Sequence, residues 1–433
     1  MNEIEFLKFK ELLRKCYVDF QNNFAQHKKA YDYYCGKSDA MENYKFITDR
    51  SNSKTNVNFV KKFVKEETSY SFGNQINYIS KSGNKEIIND IDYFISSSWD
   101  ENHNINLANK MILHGVSYEL YYVDDEGDFF KSRIITPLDG YVYEDIDGNV
   151  LFFMHIYKLK FDDTNRTYVD VYTDDRIYFF DDSFSIELKE SIENLFGKVP
   201  VGVARLSDEE LLDTIFNDIK GLLDAYETNL SDISNEISDF RNAYMVLTGV
   251  DMDEKQATEL KSKGILKITA PDGSASWLIK SINDSFIQNT LSTIEDKIYQ
   301  LTSHINHNES LASNISGVAL RSRLIALENK CTLNQKAFTN LIKTRLEMLF
   351  LFLAKRYSKE YDYRDIKVKY TANVPQDDMQ TAQIVSQLGD KLSLETALSL
   401  FSFVENPQVE IEKIREDNKD LMKGSALLGG LDE

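Results

Sequence analysis

From Leu212 onward, apolar residues recur at alternating steps of four and three: Phe216, Ile219, Leu223, Tyr226, Leu230, Ile233, Ile237, Phe240. A seam repeating about every 3.5 residues predicts a long helix packed against other helices. Ser207, followed three residues later by Glu210, reads as a capping box. The helix is therefore expected over Ser207–Asn242, with a length of about 50 Å at 1.5 Å per residue. A second seam, Ile287, Leu291, Ile294, Ile298, Leu301 and Ile305, predicts a returning helix over 284–305. Between the two lies a small tip. Tyr244–Leu247 reads as a strand, Asp253–Lys263 as a helix and Ile265–Thr269 as a second strand, and Pro271-Asp272-Gly273 turns the chain into Ala275–Ile279, closing a hairpin.

The rest of the chain gives further elements. Residues 1–25 set Ile4, Leu7, Leu12, Cys16 and Phe20 near one helical face, and Asp32–Asn52 reads as a polar, aromatic-rich loop. Helical spacing returns over Asn56–Gly73, Glu86–Ser98 and Ile105–Leu113. Then Ser117–Val123, Phe129–Ile135, Val150–Tyr157, Thr167–Thr173 and Arg176–Phe180, rich in Tyr, Phe, Val and Ile and separated by Asp/Gly turns, predict one antiparallel meander with one buried face. Phe196–Pro200 breaks that pattern and leads into the first seam. Asn306–Ser316 is polar and without period, a predicted loop. From Val318 to about Tyr357 there is no Gly or Pro, and Leu320, Leu324, Leu327, Cys331, Phe338, Ile342, Leu346, Leu349 and Leu353 share a face of the longest helix. A strand at Ile366–Tyr370, short helices at Asp377–Leu388 and Leu394–Phe403, a charged helix at Pro407–Lys423 and a small-residue tail complete the chain. The predicted class is α+β, with no repeat of the kind that marks a solenoid.

Composition narrows the picture. Lys and Arg number 50 against 70 Asp and Glu, a net charge of −20 over 433 residues. Such a chain is repelled by phosphate backbones, which argues against sequence-specific DNA binding but suits a surface that DNA must pass without sticking. Cys16, Cys35 and Cys331 are odd in number and form no C-x-x-C pair, so buried, reduced thiols of a cytosolic protein are expected. The N-terminus has neither a basic region nor an apolar one, so no signal peptide is expected. The longest apolar run, Met348–Ala354, is far short of the roughly 20 residues that span a bilayer, so no membrane is expected.

No catalytic motif is present: there is no G-x-x-x-x-G-K-[ST], G-x-G-x-x-G or G-x-S-x-G, and neither enzyme activity nor a cofactor is predicted. Asp145-x-Asp147-Gly148-Asn149 lacks the Glu that would complete a calcium loop and reads as a hairpin turn. His304-x-x-His307 with Glu309 has no fourth ligand and reads as solvated loop polarity rather than a metal site. His27, His103, His114 and His155 are scattered. The stronger signal is charge. The first seam helix carries Asp208, Glu209, Glu210, Asp213, Asp218, Asp224, Glu227, Asp232, Glu236 and Asp239 against Lys220 and Arg241. The helix after Gly317 carries Arg321, Arg323, Lys330, Lys336, Lys343, Arg345, Lys355 and Arg356 against Glu328 and Glu347. For one helix alone this reads as a solvated face. Two opposite biases in one chain also suit a head-to-tail ring, in which different patches of neighbouring subunits meet.

Several segments together resemble the portal, or head-to-tail connector, proteins of tailed bacteriophages. They are Asn56-x-x-Phe59-Val60, Ser69-Tyr70-Ser71-Phe72-Gly73 and Gly115-x-Ser117-Tyr118-Glu119-Leu120-Tyr121-Tyr122, then Phe196-Gly197-Lys198-Val199-Pro200, followed by Leu222-Leu223-Asp224-Ala225-Tyr226-Glu227-x-x-x-Ser231-Asp232, and Ser316-Gly317-Val318-Ala319-Leu320 opening a long helix. Their order and spacing run over roughly residues 50–410.

The resemblance implies a ring, usually dodecameric, at one capsid vertex, through which double-stranded DNA is packaged and ejected. It implies a wing over 1–206, stem helices over 207–242 and 284–305, and a clip over 243–283. A tunnel loop over 306–317, a long wing helix and strand over 318–374 and a crown over 375–433 complete the set. The clip would dock the large terminase subunit and later the head-completion adaptor, with Asp251, Asp253, Glu254, Lys255, Lys261 and Lys263 as candidates. The tunnel loop would present Asn306, His307, Asn308, Glu309, Ser310, Ser313, Asn314 and Ser316 to DNA. Asp213, Asp224, Glu227, Asp232, Glu236 and Asp239 would form an acidic stem face. Major capsid and scaffolding proteins are the other implied partners, the virion's portal vertex is the implied location, and the host cytoplasm the site of assembly. The seams alone equally support a non-enzymatic cytosolic coiled-coil scaffold or interaction protein.

Overall fold

The computed structural model describes residues 3–47, 51–124, 126–164, 166–185, 187–240, 244–249, 253, 255, 272–278, 284–306, 317–371, 378–401, 404 and 407–416. The chain divides into two compact units, Met1–Ala372 and Asn373–Glu433.

The first unit begins with α1 (Glu3–Tyr34), which runs past the end predicted for it. Its Leu13, Cys16 and Phe20 pack on Phe152, Met154, Val169, Val171 and Phe180 of a sheet. Ile4 and Leu7, expected on the same buried face, are 68% and 58% exposed. The last turns carry Ala30 and Tyr33 into a second and larger core, so one helix ties two cores together. A short helix α2 (Asp39–Asn43), capped by Ser38, interrupts the segment expected to be loop. Next, α3 (Phe59–Phe72) starts on the Asn58 cap and stops at Gly73 as predicted. Then come β1 (Asn77–Ser80), α4 (Lys85–Ile91), which continues into a π-turn, and α5 (His103–His114). Gly115 closes α5 with φ 79°, the left-handed C′ conformation that glycine adopts without strain.

The β region is two sheets rather than one meander. β2 (Val116–Val123) and β3 (Phe130–Ile135) belong to one. β4 (Gly140–Glu144), β5 (Val150–Lys158), β6 (Thr167–Tyr172), β7 (Arg176–Asp181) and β8 (Glu187–Glu193) follow one another in a five-stranded antiparallel sheet. β9 (Val201–Arg205) returns to pair with β2, Val116 opposite Arg205, which gives the order β3-β2-β9. The two sheets pack through Tyr118, Ile135, Phe153 and Val201. Gly140 marks the junction: a Cβ there would come within 3.1 Å of Ile135, Phe153 and Tyr118. β9 has no local partner and β8 (ELKESIE) no apolar alternation, so neither carries a strand signal in sequence.

The first seam helix, α6 (Ile215–Phe240), starts later than the capping box predicts. Ser207 Oγ accepts from the Glu209 amide at 3.1 Å and serves a turn. A 3₁₀ turn, Glu210–Asp213, follows, and extended Thr214 interrupts the chain before its hydroxyl caps α6 at the Asn217 amide, 3.4 Å. At 26 residues α6 is about 39 Å long. At its end β10 (Tyr244–Thr248) pairs antiparallel with β11 (Ser274–Leu278). The strand after Pro271-Asp272-Gly273 therefore closes on the incoming chain, whereas Ile265–Thr269 lies outside the described residues, with all of the Asp253–Lys263 helix except Asp253 and Lys255. α7 (Asp284–Thr302) and the 41-residue α8 (Gly317–Tyr357) follow, then β12 (Ile366–Lys369), antiparallel to β1. The second unit holds α9 (Asp378–Leu388), α10 (Leu394–Leu398), which is shorter than predicted, and α11 (407–416).

Candidate functional site

Helices α6 and α7 form an antiparallel pair whose two ends differ. At the base Phe216, Ile219 and Leu223 are buried with Ile298 and Tyr299 in the main core. Toward the hairpin the seam thins: Ile237 is 57% exposed. Leu301, expected in the second seam, is turned out and 54% exposed. Thr302 takes the buried position instead, its hydroxyl bonding to the Ile298 carbonyl at 2.8 Å.

A second face of α6 is buried and polar. Glu227, Ser231 and Asn235, at four-residue spacing, have no exposed surface. The segment between α1 and α3 runs along them as a strap. The Glu227 carboxylate accepts from Asn56 Nδ2 at 2.7 Å, from the Val57 amide at 2.8 Å and from the Ser38 hydroxyl. Ser231 Oγ accepts from the Thr55 amide at 2.9 Å. The Asn235 carboxamide accepts from the Ser53 amide at 2.6 Å and donates to the Ser53 carbonyl at 2.8 Å. Beside this stripe, Tyr33 donates to Asp224 at 2.6 Å, Tyr44 to Asp232 at 2.8 Å and Ser51 to Asp239 at 2.8 Å. Burial raises the Glu227 pKa, and Asp224 adds to this, against the hydrogen bonds from Ser38 and Val57.

The base of the pair is fixed by charge. Glu67 of α3, 1% exposed, takes Lys330 Nζ at 2.8 Å and Asn334 Nδ2 at 2.9 Å, both from α8. His304, just past α7, stacks on Phe63 with ring centroids 4.2 Å apart. Burial, reinforced by the charge of Lys330, lowers its pKa to about 3, so it is neutral there. His304 is thus a packed core ring, not the solvated loop residue expected from sequence.

A comparison with known families shows what this arrangement belongs to. The model of the phage portal protein family, SPP1 Gp6-like, matches residues 13–424. The chain belongs to that family. A portal protein of Bacillus phage SPP1 is 24% identical over 402 residues, covering 85% of this chain and 76% of that one. A portal protein of Clostridium phage phiCD119 is 21% identical over 426 residues, covering 91% and 92%. Among solved structures, the neck of an empty GTA particle computed with C6 symmetry aligns over 79% of this chain and 87% of its own, with TM-score 0.46 and 12% identity. The neck of a native GTA particle computed with C12 symmetry gives 78%, 88%, 0.47 and 12%.

In this portal chain the six candidate acids of the α6 region separate. Asp213 is exposed, before the helix proper. Asp232 and Asp239 are half-buried and bonded to the strap, Asp224 is half-buried and bonded to Tyr33 of α1, Glu236 is half-buried, and Glu227 is wholly enclosed. A continuous free acidic face is therefore not what these residues make; the spacing that reads as a charged stripe is partly an internal hydrogen-bonding stripe. Of the tunnel-loop candidates only Asn306 is described, and its Nδ2 donates to Glu295 at 3.3 Å. His307, Asn308, Glu309, Ser310, Ser313, Asn314 and Ser316 lie outside the described residues. So do Asp251, Glu254, Lys261 and Lys263, while Asp253 and Lys255 are exposed. Cys16 and Cys331 are buried as expected and Cys35 is not.

Sequence reasoning missed the strap, Ser38 to Val57, and the long-range pairs that hold the base. The strap's only local signal is its density of Ser, Asn and Tyr, which reads equally as loop.

Proposed function

We propose that this portal protein is the repeating unit of a homo-oligomeric ring, a dodecamer, at one vertex of a phage capsid, and that double-stranded DNA passes through its centre during packaging and ejection. The protein acts as a structural channel with no chemistry of its own. In this reading α6 and α7 are the stem, the segment between them is the clip that docks the large terminase subunit and then a head-completion adaptor, and 306–317 is the tunnel loop. Residues 1–206 and 318–374 make the wing, 375–433 the crown, and capsid and scaffolding proteins surround it; assembly takes place in the host cytoplasm.

The observation that carries the reading is an antiparallel helix pair, bridged at its far end by the β10–β11 hairpin, inside a chain that matches the portal family almost throughout. The test is the mass and shape of the purified protein by light scattering and negative-stain imaging. A ring of about a dozen subunits with a central hole is expected. A chain that stays monomeric or dimeric, also when co-expressed with the phage's scaffolding and capsid proteins, would overturn the ring and favour a coiled-coil scaffold.

A further inference from the structure

We propose that one exposed stripe of α8 and the turn that precedes α6 are the two halves of a head-to-tail contact between neighbouring copies of this chain. The proposal rests on the ring reading above and names the surfaces that would meet.

The sequence reads α8 as a basic helix, and the structure divides its cations. Arg345 is wholly buried against Glu119. Lys330 binds Glu67, and Lys355 donates to the Leu195 carbonyl. Lys336 and Lys343 are exposed and form no ion pair among the described residues. They share their face with Ile325, Asn329, Leu333 and Asn340; at 100° per residue these six positions fall within about 80° of the helix circumference. Ile325 is 49% and Leu333 62% exposed, two large aliphatic side chains left in water on a helix whose other face is closed. None of these six positions is an acid, and Glu347, one turn past Lys343 on the same arc, is bound to Lys198 at 2.6 Å. The stripe is an unpartnered helix face with an apolar centre and positive charge.

The complementary surface lies on the same chain. In the turn before α6, Asp208, Glu209 and Asp213 are exposed and form no ion pair among the described residues, and Leu212, between them, is 55% exposed. Glu210 is drawn inward by Arg205 at 2.9 Å. The turn is also held from beneath: a Cβ added to Gly115 would lie 2.2 Å from the Glu210 carbonyl oxygen, so the backbone of α5 and that of the turn are in direct contact. This makes a fixed shoulder with an apolar centre and negative charge.

The two surfaces are opposite in charge, and each has an aliphatic centre. Pairing stripe with stripe, or shoulder with shoulder, sets like charges face to face, which disfavours a two-fold dimer. Pairing the stripe of one copy with the shoulder of the next leaves each copy with one half free, the condition for a heterologous contact that propagates and closes as a ring.

The experiment uses two full-length variants under the conditions in which the wild type assembles. The first is Lys336→Glu/Lys343→Glu, which makes the stripe acidic. The second is Asp208→Lys/Glu209→Lys/Asp213→Lys, which makes the shoulder basic. Each alone is expected to run at monomer mass in light scattering, with an unchanged thermal melt because the substituted side chains are exposed. An equimolar mixture restores both junctions, one with its signs reversed and one with the wild-type signs, and is expected to recover rings of alternating subunits. If the wild type forms no ring, the ring reading falls and this contact with it. If the wild type forms rings and either variant alone still does, or the mixture stays monomeric, these surfaces are not the contact while the ring reading stands. If the melt of a variant drops, Lys336→Ala/Lys343→Ala takes the place of the first variant, and rings of wild-type yield from it overturn the contact.

Discussion

Arg345 and Glu119 meet as a closed pair with no exposed surface: Nε lies 2.8 Å from Oε2 and Nη2 2.9 Å from Oε1. The contact joins α8 to β2. Asn104 of α5 takes the remaining Nη1 at 2.8 Å, and Tyr121 donates to the same carboxylate at 2.8 Å. His103 sits on the other carboxylate oxygen, and the Trp99 ring lies 5.1 Å from the guanidinium carbon. Burial by itself raises the carboxyl pKa; the Arg345 charge, with His103, overcomes it and holds Glu119 at about 2.

Removing one partner of this pair is expected to cost more than removing both. Arg345→Met leaves a buried carboxylate and should lower unfolding stability by about 3–5 kcal/mol, whereas Arg345→Met/Glu119→Leu should lose less. Denaturant unfolding at pH 7 checks the order. The sign for pH follows from the depressed carboxyl pKa: its contribution is present above about pH 4.5 and is lost as pH falls toward about 2. The double variant should lack that part of the acid slope.

A second acid response sits higher on the pH scale. His27 of α1 and His114 of α5 touch ring to ring, centroids 5.7 Å apart, with Tyr31 stacked on His114 and Lys110 beside it. Neither His114 ring nitrogen has a hydrogen-bond partner. Burial lowers His27 to about 4, and burial with the charges of His27 and Lys110 lowers His114 to about 3. The folded state thus holds both rings neutral, and its stability falls as pH drops from 6.5, where the unfolded rings begin to bind protons. His114→Phe keeps the ring contact and removes one titration. Urea midpoints at pH 7 and pH 5 should differ less in this variant than in the wild type.

The strap along α6 separates acids that a charge count treats alike. Asp213→Lys should fold as the wild type does. Asp224→Lys and Asp232→Lys remove the acceptors of Tyr33 and Tyr44 and should not. Glu227→Ala leaves the Val57 amide and Asn56 without their acceptor, a loss of about 1–3 kcal/mol. Hydrogen exchange is the direct readout: the amides of Ser53, Thr55 and Val57 should lose protection while those of α8 keep theirs.

Gly115→Ala forces a side chain into a left-handed position and against the Glu210 carbonyl. Strain of this kind costs about 1–3 kcal/mol, and the contact adds to it. A melting temperature lowered by several degrees is expected, whereas Gly148→Ala, also at positive φ but with nothing within 4 Å, should cost less.

Much of this was legible in the chain. The α+β class, the paired seams, the stops at Gly73 and Gly115, and the helix from Gly317 to Tyr357 were determined by periodicity and by glycine chemistry, which are local properties that a single sequence displays. What only the tertiary structure decided is which partner each polar residue has. A Ser-x-x-Glu box looks the same whether it caps a helix or closes a turn, and extended Thr214 shows which it is here. A row of acids looks the same whether it faces water or is bound to Ser38, Tyr44 and Asn56 far earlier in the chain. β9 pairs with β2 and Arg345 with Glu119 across long stretches of sequence. The physical reason is the same throughout: helices and turns are settled among near neighbours, whereas burial of charge and pairing of strands depend on groups that meet only when the chain has folded.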